Sequence, residues 1–491
     1  YVQDEYLVSE NFNLTYGLRV DFPIYFTDPV DNPFSRDLKA LDEDGNDETV
    51  DQSDLPGATP LFSPRIGFNW DVKGDRSTQL RGGTGIFTGR LPFVWVGNVI
   101  SNPGANPNLF PTVTPAPEEH RTSEDSFLQQ SFDVNAMDPD FKWPQVWTTN
   151  LAIDQKLPWD LLGTLEFIYG KDINAIFVRN ADLPKPARTL PIDGRPFYTD
   201  TTTGEFELNP DGGAGIYVID NTSDGYNFNV TAQLRKNFDF GLNTSLSYSF
   251  VVAKNQFKST EIASVLFSES PIQGNPNKPR VSHSEFGNRH RIIGGATYSH
   301  RWSNSLATHF GLFFEVAEGN RFAGAGGNRY SFLYSGDVNG DGFGGNDLIY
   351  IPRDATDPNE ILFDDPADAQ AFEDFIRQDD YLSSHRGQIA ERFGALNPWF
   401  SNIDLRILQD ISFAVGTFQL NLDILNVANF LNSDWGVRKV ATASATSPLK
   451  LERFNSEGAP VFSFVGPAET FIDDPGLNSR YRIQLGARYF F

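Results

Sequence analysis

Asp337, Asn339 and Asp341 stand at alternate positions of the segment Asp337-Val-Asn-Gly-Asp-Gly-Phe-Gly-Gly-Asn-Asp347. Three hard oxygen donors at positions 1, 3 and 5, followed by a glycine (Gly342) at the turn, are the pattern in which a chain folds around one calcium ion. The Phe343 carbonyl would add a fourth oxygen. The end of the loop departs from that pattern. A helix-loop-helix calcium site closes with a bidentate Glu at position 12, whereas here Asp347 is at position 11 and Leu348 at 12. The spacing therefore predicts a calcium loop at Asp337, Asn339, Asp341, Phe343 and Asp347. The same Asx and Gly content also suits a plain turn between strands. A second acidic stretch, Asp42-Glu-Asp-Gly-Asn-Asp-Glu48, repeats the offsets with Asp42, Asp44 and Asn46. It lacks hydrophobic framing and reads as a solvated loop.

Other chemistry is thinly represented. His120, His283, His290, His300, His309 and His385 show no zinc spacing. No nucleophile elbow or phosphate loop is present, and there is no Cys for a thiolate site or a disulfide. The run Gly82-Gly-Thr-Gly85 lies in a strand pattern with no helix after it, which suits close packing rather than phosphate binding. His385, Arg386, Gln388, Glu391 and Arg392 form a polar cluster before a strand. Such a cluster can touch substrate or clamp the long connection that precedes it, and the clamp is the expectation because long loops need polar anchoring.

The elements that must position these residues follow a period of two. Ile66, Phe68, Trp70 and Val72 share one face of a segment whose other face holds Arg65, Gly67, Asn69 and Asp71. Leu242, Thr244, Leu246, Tyr248 and Phe250 oppose Asn243, Ser245, Ser247 and Ser249, and Phe418, Leu420, Leu422 and Ile424 oppose Gln419, Asn421 and Asp423. Such alternation marks strands with one apolar and one polar face. It does not say whether the apolar face meets a core or a bilayer. The connections do discriminate. Short turns at 9–13, 73–77, 157–161, 237–241, 302–305 and 412–416 alternate with long polar connections at about 27–62, 91–143, 180–222, 255–287, 317–398 and 429–478. A soluble sandwich has no reason to lengthen every second connection. An outer-membrane barrel has short periplasmic turns and long external loops. The expected strands are 1–9, 12–26, 63–72, 78–90, 144–156, 162–178, 223–236, 241–254, 288–301, 305–316, 399–411, 417–428 and 480–491. The fold class is thus all-β, an antiparallel transmembrane β-barrel contributing about 13 strands.

Composition agrees. With 39 Lys+Arg against 64 Asp+Glu the net charge is −25, which excludes a nucleic-acid partner that needs a basic face. No run reaches the roughly 18 apolar residues of a membrane helix. The acidic excess suits external loops that attract divalent cations, which also bridge lipopolysaccharide phosphates, or a high-salt habitat. The first residue is Tyr1, without an initiator Met or signal peptide, so an N-terminal portion of a larger protein is expected to be missing. The C-terminus reads as a natural end. Tyr481-Arg-Ile-Gln-Leu-Gly-Ala-Arg-Tyr-Phe-Phe491 places Gln484, Gly486, Tyr489 and Phe491 in the polar–x–Gly–x–x–aromatic–x–aromatic pattern of the signal read by the barrel-assembly machinery.

Several ordered segments carry a family resemblance: Leu14-Thr-Tyr-Gly-Leu-Arg-Val-Asp21, Ser63-Pro-Arg-Ile-Gly-Phe68, Arg81-Gly-Gly-Thr-Gly-Ile-Phe-Thr-Gly-Arg90, Asn346-Asp-Leu-Ile-Tyr-Ile-Pro352, Ser384-His-Arg-Gly-Gln388 and Leu420-Asn-Leu-Asp-Ile-Leu-Asn-Val-Ala-Asn429. Over essentially its whole length the chain resembles the C-terminal barrel portion of Oar-like TonB-dependent outer-membrane receptors, which carry a carboxypeptidase-regulatory-like N-terminal domain. The resemblance implies a barrel of about 22 strands around a plug, in the bacterial outer membrane. It implies import of a ligand captured by the external loops and energised by TonB acting through the plug. Residues 1–491 would be the C-terminal part, and the plug and N-terminal strands are not in this chain. The remaining strands would come from another segment or chain, because an open edge is not tolerated in lipid. The implied partners are outer-membrane lipid and lipopolysaccharide, TonB and the barrel-assembly machinery. The competing expectation is an adhesion or structural surface protein, and an enzyme has no catalytic constellation to support it.

Overall fold

The computed structural model describes residues 1–29, 31–104, 134–210, 215–257, 263–321 and 331–491, with Pro33 and Phe34 described by backbone only. Thirteen strands follow one another in a single sheet path: β1 (Val2–Ser9), β2 (Phe12–Asp21), β3 (Leu61–Asp71), β4 (Thr78–Thr88), β5 (Gln145–Leu157), β6 (Leu161–Asn180), β7 (Tyr226–Asn237), β8 (Leu242–Asn255), β9 (His290–Ser303), β10 (Leu306–Ala317), β11 (Phe400–Phe413), β12 (Gly416–Leu425) and β13 (Arg482–Phe490). Each pairs antiparallel with its neighbour in the chain. Among the described residues β1 pairs only with β2 and β13 only with β12, so the path has two free edges.

Strand ends follow proline chemistry. β2 stops at Asp21 rather than continuing to residue 26, because Pro23 offers no N–H to the ladder. β5 begins just after Pro144 for the same reason. Small residues let the strands of the glycine-rich stretch close up. A Cβ at Gly82 would lie 2.8 Å from the Asn150 carbonyl oxygen, and one at Gly83 would lie 2.9 Å from that of Ile66.

The alternation resolves into two physically different faces. Ile66, Trp70, Leu151, Leu165, Leu246, Leu312 and Leu485 are exposed along the sheet, Leu485 by 78%. None of them joins a buried cluster. The greasy stripe of these strands therefore does not fold onto a core. No helix among the described residues is long and apolar enough to cross a membrane.

The dry interior lies at the long-connection end. One cluster unites Phe332, Tyr334, Ile349 and Ile351 with Phe372, Phe375 and Phe462. A second packs Trp95 and Val99 of α1 (Phe93–Ser101) on Phe177 and Val178 of β6 and on Leu266 and Phe267 of α2 (Ala263–Glu269). A third gathers Ala40, Val134, Ala181, Ile216 and Val218. The strand Ile216–Thr222 pairs antiparallel with the end of β6 and parallel with Val134–Met137, which raises the sheet into this roof. In α3 (Pro366–Gln378) the Asp365 carboxylate accepts the Ala367 N–H, Pro366 starts the helix, and Phe372, Phe375 and Ile376 fall on one buried face. The connections expected to be long and polar thus carry elements and a core of their own.

Leu312 and Thr297 occupy adjacent rows of paired β9 and β10 and point to opposite faces. Leu312→Arg is expected to destabilise the membrane-inserted protein by about 2–4 kcal/mol, and Thr297→Arg by less than about 1 kcal/mol. Urea titration of the full-length protein in vesicles, read by heat modifiability, checks the difference. Equal costs would place both residues in one environment.

Candidate functional site

The polar face of the wall is cross-linked between strands. Arg81 on β4 reaches Asp154 on β5 at 3.2 Å and Glu166 on β6 at 3.1 Å. Thr164 donates its hydroxyl to Asp154 at 2.5 Å. Farther round, Arg291 pairs with Glu315 at 2.6 Å and Arg406 donates to Asp423 at 3.0 Å. His309 meets Asp410 at 3.0 Å and Ser299 at 2.8 Å. At the short-turn end Arg76, Arg81, Lys156 and Arg235 line a recess of about 510 Å³ with Asp154 and Glu166. Four basic side chains against two carboxylates make this recess attractive to anionic groups, although the chain as a whole is acidic.

The 337–347 loop lies in the roof. The Asp337 carboxylate accepts N–H bonds from Gly340, Asp341 and Gly342 at 2.6–3.2 Å. Asp347 accepts those of Val338 and Asn339 at 2.8 and 3.1 Å. Asn339 donates its side-chain amide to Asp341, and Asp341 accepts the Phe343 N–H. Phe343 turns its ring against Phe267, with centroids 5.7 Å apart. Arg195, fully buried, donates to Asp193 at 2.6 Å, to Asp347 at 3.2 Å and to the Leu348 carbonyl at 2.7 Å. Burial, joined by the neighbouring charges of Asp347 and Asp337, drives the Asp341 carboxyl well above its usual range. Burial pushes Asp347 up to about 6, against the opposing pull of Arg195. The loop therefore buries three acidic side chains, of which Asp347 meets the Arg195 guanidinium. Among the described residues, no three carboxylate or imidazole groups converge as a preformed metal cage.

The second acidic stretch has the framing that its sequence did not reveal. Ala40 and Leu41 are buried and pair with Asp47 and Glu48 in a hairpin. Asp42 accepts the N–H groups of Asp44 and Asn46 at 2.9 and 2.7 Å, and its side-chain bond from Asn46 leads the interactions that hold its carboxyl below the ordinary range. Arg179, on the raised end of β6, pairs with Glu48 and lies 3.6, 3.7 and 3.9 Å from Asp220, Glu43 and Asp138. Here too one buried guanidinium holds several carboxylates.

The 385–392 cluster is a clamp. Arg386 grips Glu373 of α3 through two bonds of 3.0 and 2.8 Å and donates to the Arg353 carbonyl at 3.0 Å. Arg392 donates to the Gln256 carbonyl at 2.7 Å, and the ring of His385 stacks on Tyr381 at 4.2 Å. Gln388 and Glu391 lie beside them, with Glu391 meeting His283 at 3.4 Å. His120 lies outside the described residues.

On β13, Gln484 and Gly486 stand opposite Asp423 and Asn421, and Tyr489 opposite Phe418. A Cβ at Gly486 would come within 2.3 Å of the Asn421 amide oxygen, so glycine leaves room for that side chain. Tyr489 donates to the Val415 carbonyl at 3.0 Å and stacks with the fully exposed Phe491 at 6.3 Å.

Sequence reading missed Arg195 and Arg179, each of which holds an acid more than a hundred residues away in the chain. The partners of Arg81 were missed as well, because no local signal sets the register between strands.

The family model for "Outer membrane beta barrel domain" matches residues 1–446. A search of curated proteins finds no match. Similar solved structures include the outer membrane transporter YddB from Escherichia coli, at 11% identity and a TM-score of 0.46, with 98% of this chain and 43% of that chain covered. A mutant of the ferric enterobactin receptor PfeA from Pseudomonas aeruginosa gives 10% identity, a TM-score of 0.42, and coverage of 99% and 44%. The FrpB iron transporter from Neisseria meningitidis gives 11%, 0.40, and coverage of 98% and 44%. The chain spans less than half the length of each.

Replacing Arg195 by Met leaves Asp193 and Asp347 without their cation in a dry site. The expected cost to the roof is about 3–5 kcal/mol. Native-state hydrogen exchange at the Val338 and Asn339 amides measures it, and unchanged protection would mean that Arg195 does not hold the loop.

Proposed function

The chain belongs to the outer-membrane β-barrel domain family, and from that premise we propose that it is the C-terminal part of an Oar-like TonB-dependent receptor that imports a ligand across the outer membrane. The observation that carries this reading is the open sheet. In hydrocarbon, every N–H and C=O on the free edges of β1 and β13 needs a partner. Closure with about nine further strands gives a cylinder of about 22, large enough for a plug. The plug would meet the charged inner wall around Arg81, Asp154 and Glu166, and TonB would act on it from the periplasm. The roof would capture the ligand, because binding concentrates on connections held by a rigid scaffold. Lipopolysaccharide surrounds the outer half of such a wall. The barrel-assembly machinery would read Gln484, Gly486, Tyr489 and Phe491.

Cells lacking the receptor and cells lacking TonB test the import reading. Both are expected to stop depleting the same component of a defined peptide and glycan mixture, measured by mass spectrometry of the medium. Surface attachment that is lost with the receptor but kept without TonB, with depletion unchanged, would favour adhesion instead.

The 337–347 loop is proposed to take calcium. Asp337, Asp341 and Asp347 bring more negative charge into the dry roof than Arg195 balances, and carboxylate oxygens that already accept one N–H retain a second lone pair. Binding would draw these oxygens and those of Asn339 and Phe343 toward one centre. Without calcium, a buried carboxyl raised from 3.8 to about 6 keeps its proton in the folded roof while the unfolded chain has released it. Roof stability is then expected to fall as pH rises from about 4 to about 6. Millimolar calcium should flatten that slope, as read by hydrogen exchange of the loop amides. An identical slope with and without calcium would exclude the site.

A further inference from the structure

The outward wall is not uniformly packed. A trough of about 450 Å³ crosses β5 to β8, bounded by Ile153, Leu165, Leu234, Leu246 and Tyr248. The register explains it. Ile153, Leu165, Ala232 and Tyr248 form one row across the four strands, and Gln155, Gly163, Leu234 and Leu246 form the next. Ala232 and Gly163 thus lie on a diagonal of adjacent strands, where two large side chains would otherwise close the surface. The trough belongs to the face that an outer-membrane barrel turns to lipid.

Its lower end is marked by charge. Lys236 follows Ala232 and Leu234 on the same face of β7, one row nearer the short turns. Its Nζ rests over the Phe238 ring at 4.6 Å and makes no ion pair among the described residues. Trp159 and Phe240, exposed in the two neighbouring short turns, are the aromatic side chains that sit at headgroup level. A cation at that depth beside an apolar trough complements an amphiphile with an anionic head and a long chain. Bulk lipid tails are as apolar as leucine, so affinity must come from shape and from the head group.

We propose that this trough is a binding site for one glycerophospholipid of the periplasmic leaflet, with an acyl chain over Gly163 and Ala232 and its phosphate against Lys236. Short turns face the periplasm in such barrels, which makes phospholipid the occupant and not lipopolysaccharide of the other leaflet.

Native mass spectrometry of the full-length receptor, delipidated and titrated with phosphatidylglycerol, tests the site. Wild-type protein is expected to retain one lipid under conditions that strip the annulus. Ala232→Leu fills the trough and should abolish that retention. Lys236→Gln should weaken it about fivefold. Leu420→Phe, on the outward face of β12 four strands beyond β8, should leave it unchanged, and heat modifiability shows that each variant is folded. Equal retention in wild type and Ala232→Leu would overturn the proposal, as would loss in Leu420→Phe or retention of lipopolysaccharide in place of phospholipid. The outcome is independent of whether the receptor imports a ligand.

Discussion

Hydrocarbon offers backbone amides no alternative partner, and this one deprivation organises the molecule. Every strand must be fully paired along its membrane-crossing length, so successive strands join neighbours in strict antiparallel order. The apolar stripe can then face outward, because the surrounding medium costs it nothing. What a water-soluble domain achieves by burying leucines, this wall achieves with exposed ones. The hydrophobic effect, in its familiar role of building a core, acts only above the strands. That is where Trp95, Phe267, Phe372 and their neighbours come together.

Charge placement follows from the same division. On the polar face, arginines tie strands together while their guanidinium ends remain partly wet, and such pairs contribute modestly to stability. In the roof the pairing is more demanding. Arg195 and Arg179 are withdrawn from solvent and each stands among several acids. Removing water makes each such ion expensive unless its partners are in place. The long connections therefore depend on a few distant guanidinium contacts as much as on apolar contact.

Legibility from sequence divides along this line. The wall repeats every two residues and its short turns interrupt that rhythm, so positions such as Leu246 and Ser247 announce their faces. The strand ends at Pro23 and Pro144 were equally local, yet alternation alone carried the first of them too far. The roof was opaque because its contacts join remote segments: Asp193-Arg195 with Asp347, Glu48 with Arg179. One signal was present and unused. Asp365-Pro366, followed by apolar residues at 372, 375 and 376, is a capped amphipathic helix written in the usual way. The 42–48 stretch shows the opposite error, since Ala40 and Leu41 supply framing just outside the acidic run.

β6 continues for 20 residues from the short turn at its foot to Asn180 beneath the roof, where Phe177, Val178 and Arg179 are built into that upper mass. It acts as a mast shared by both halves. Because extended backbone resists stretching, and its ladder on either side fixes rotation, tension applied low on this strand arrives at its top with little slack. The roof is thus mechanically continuous with the wall that carries it.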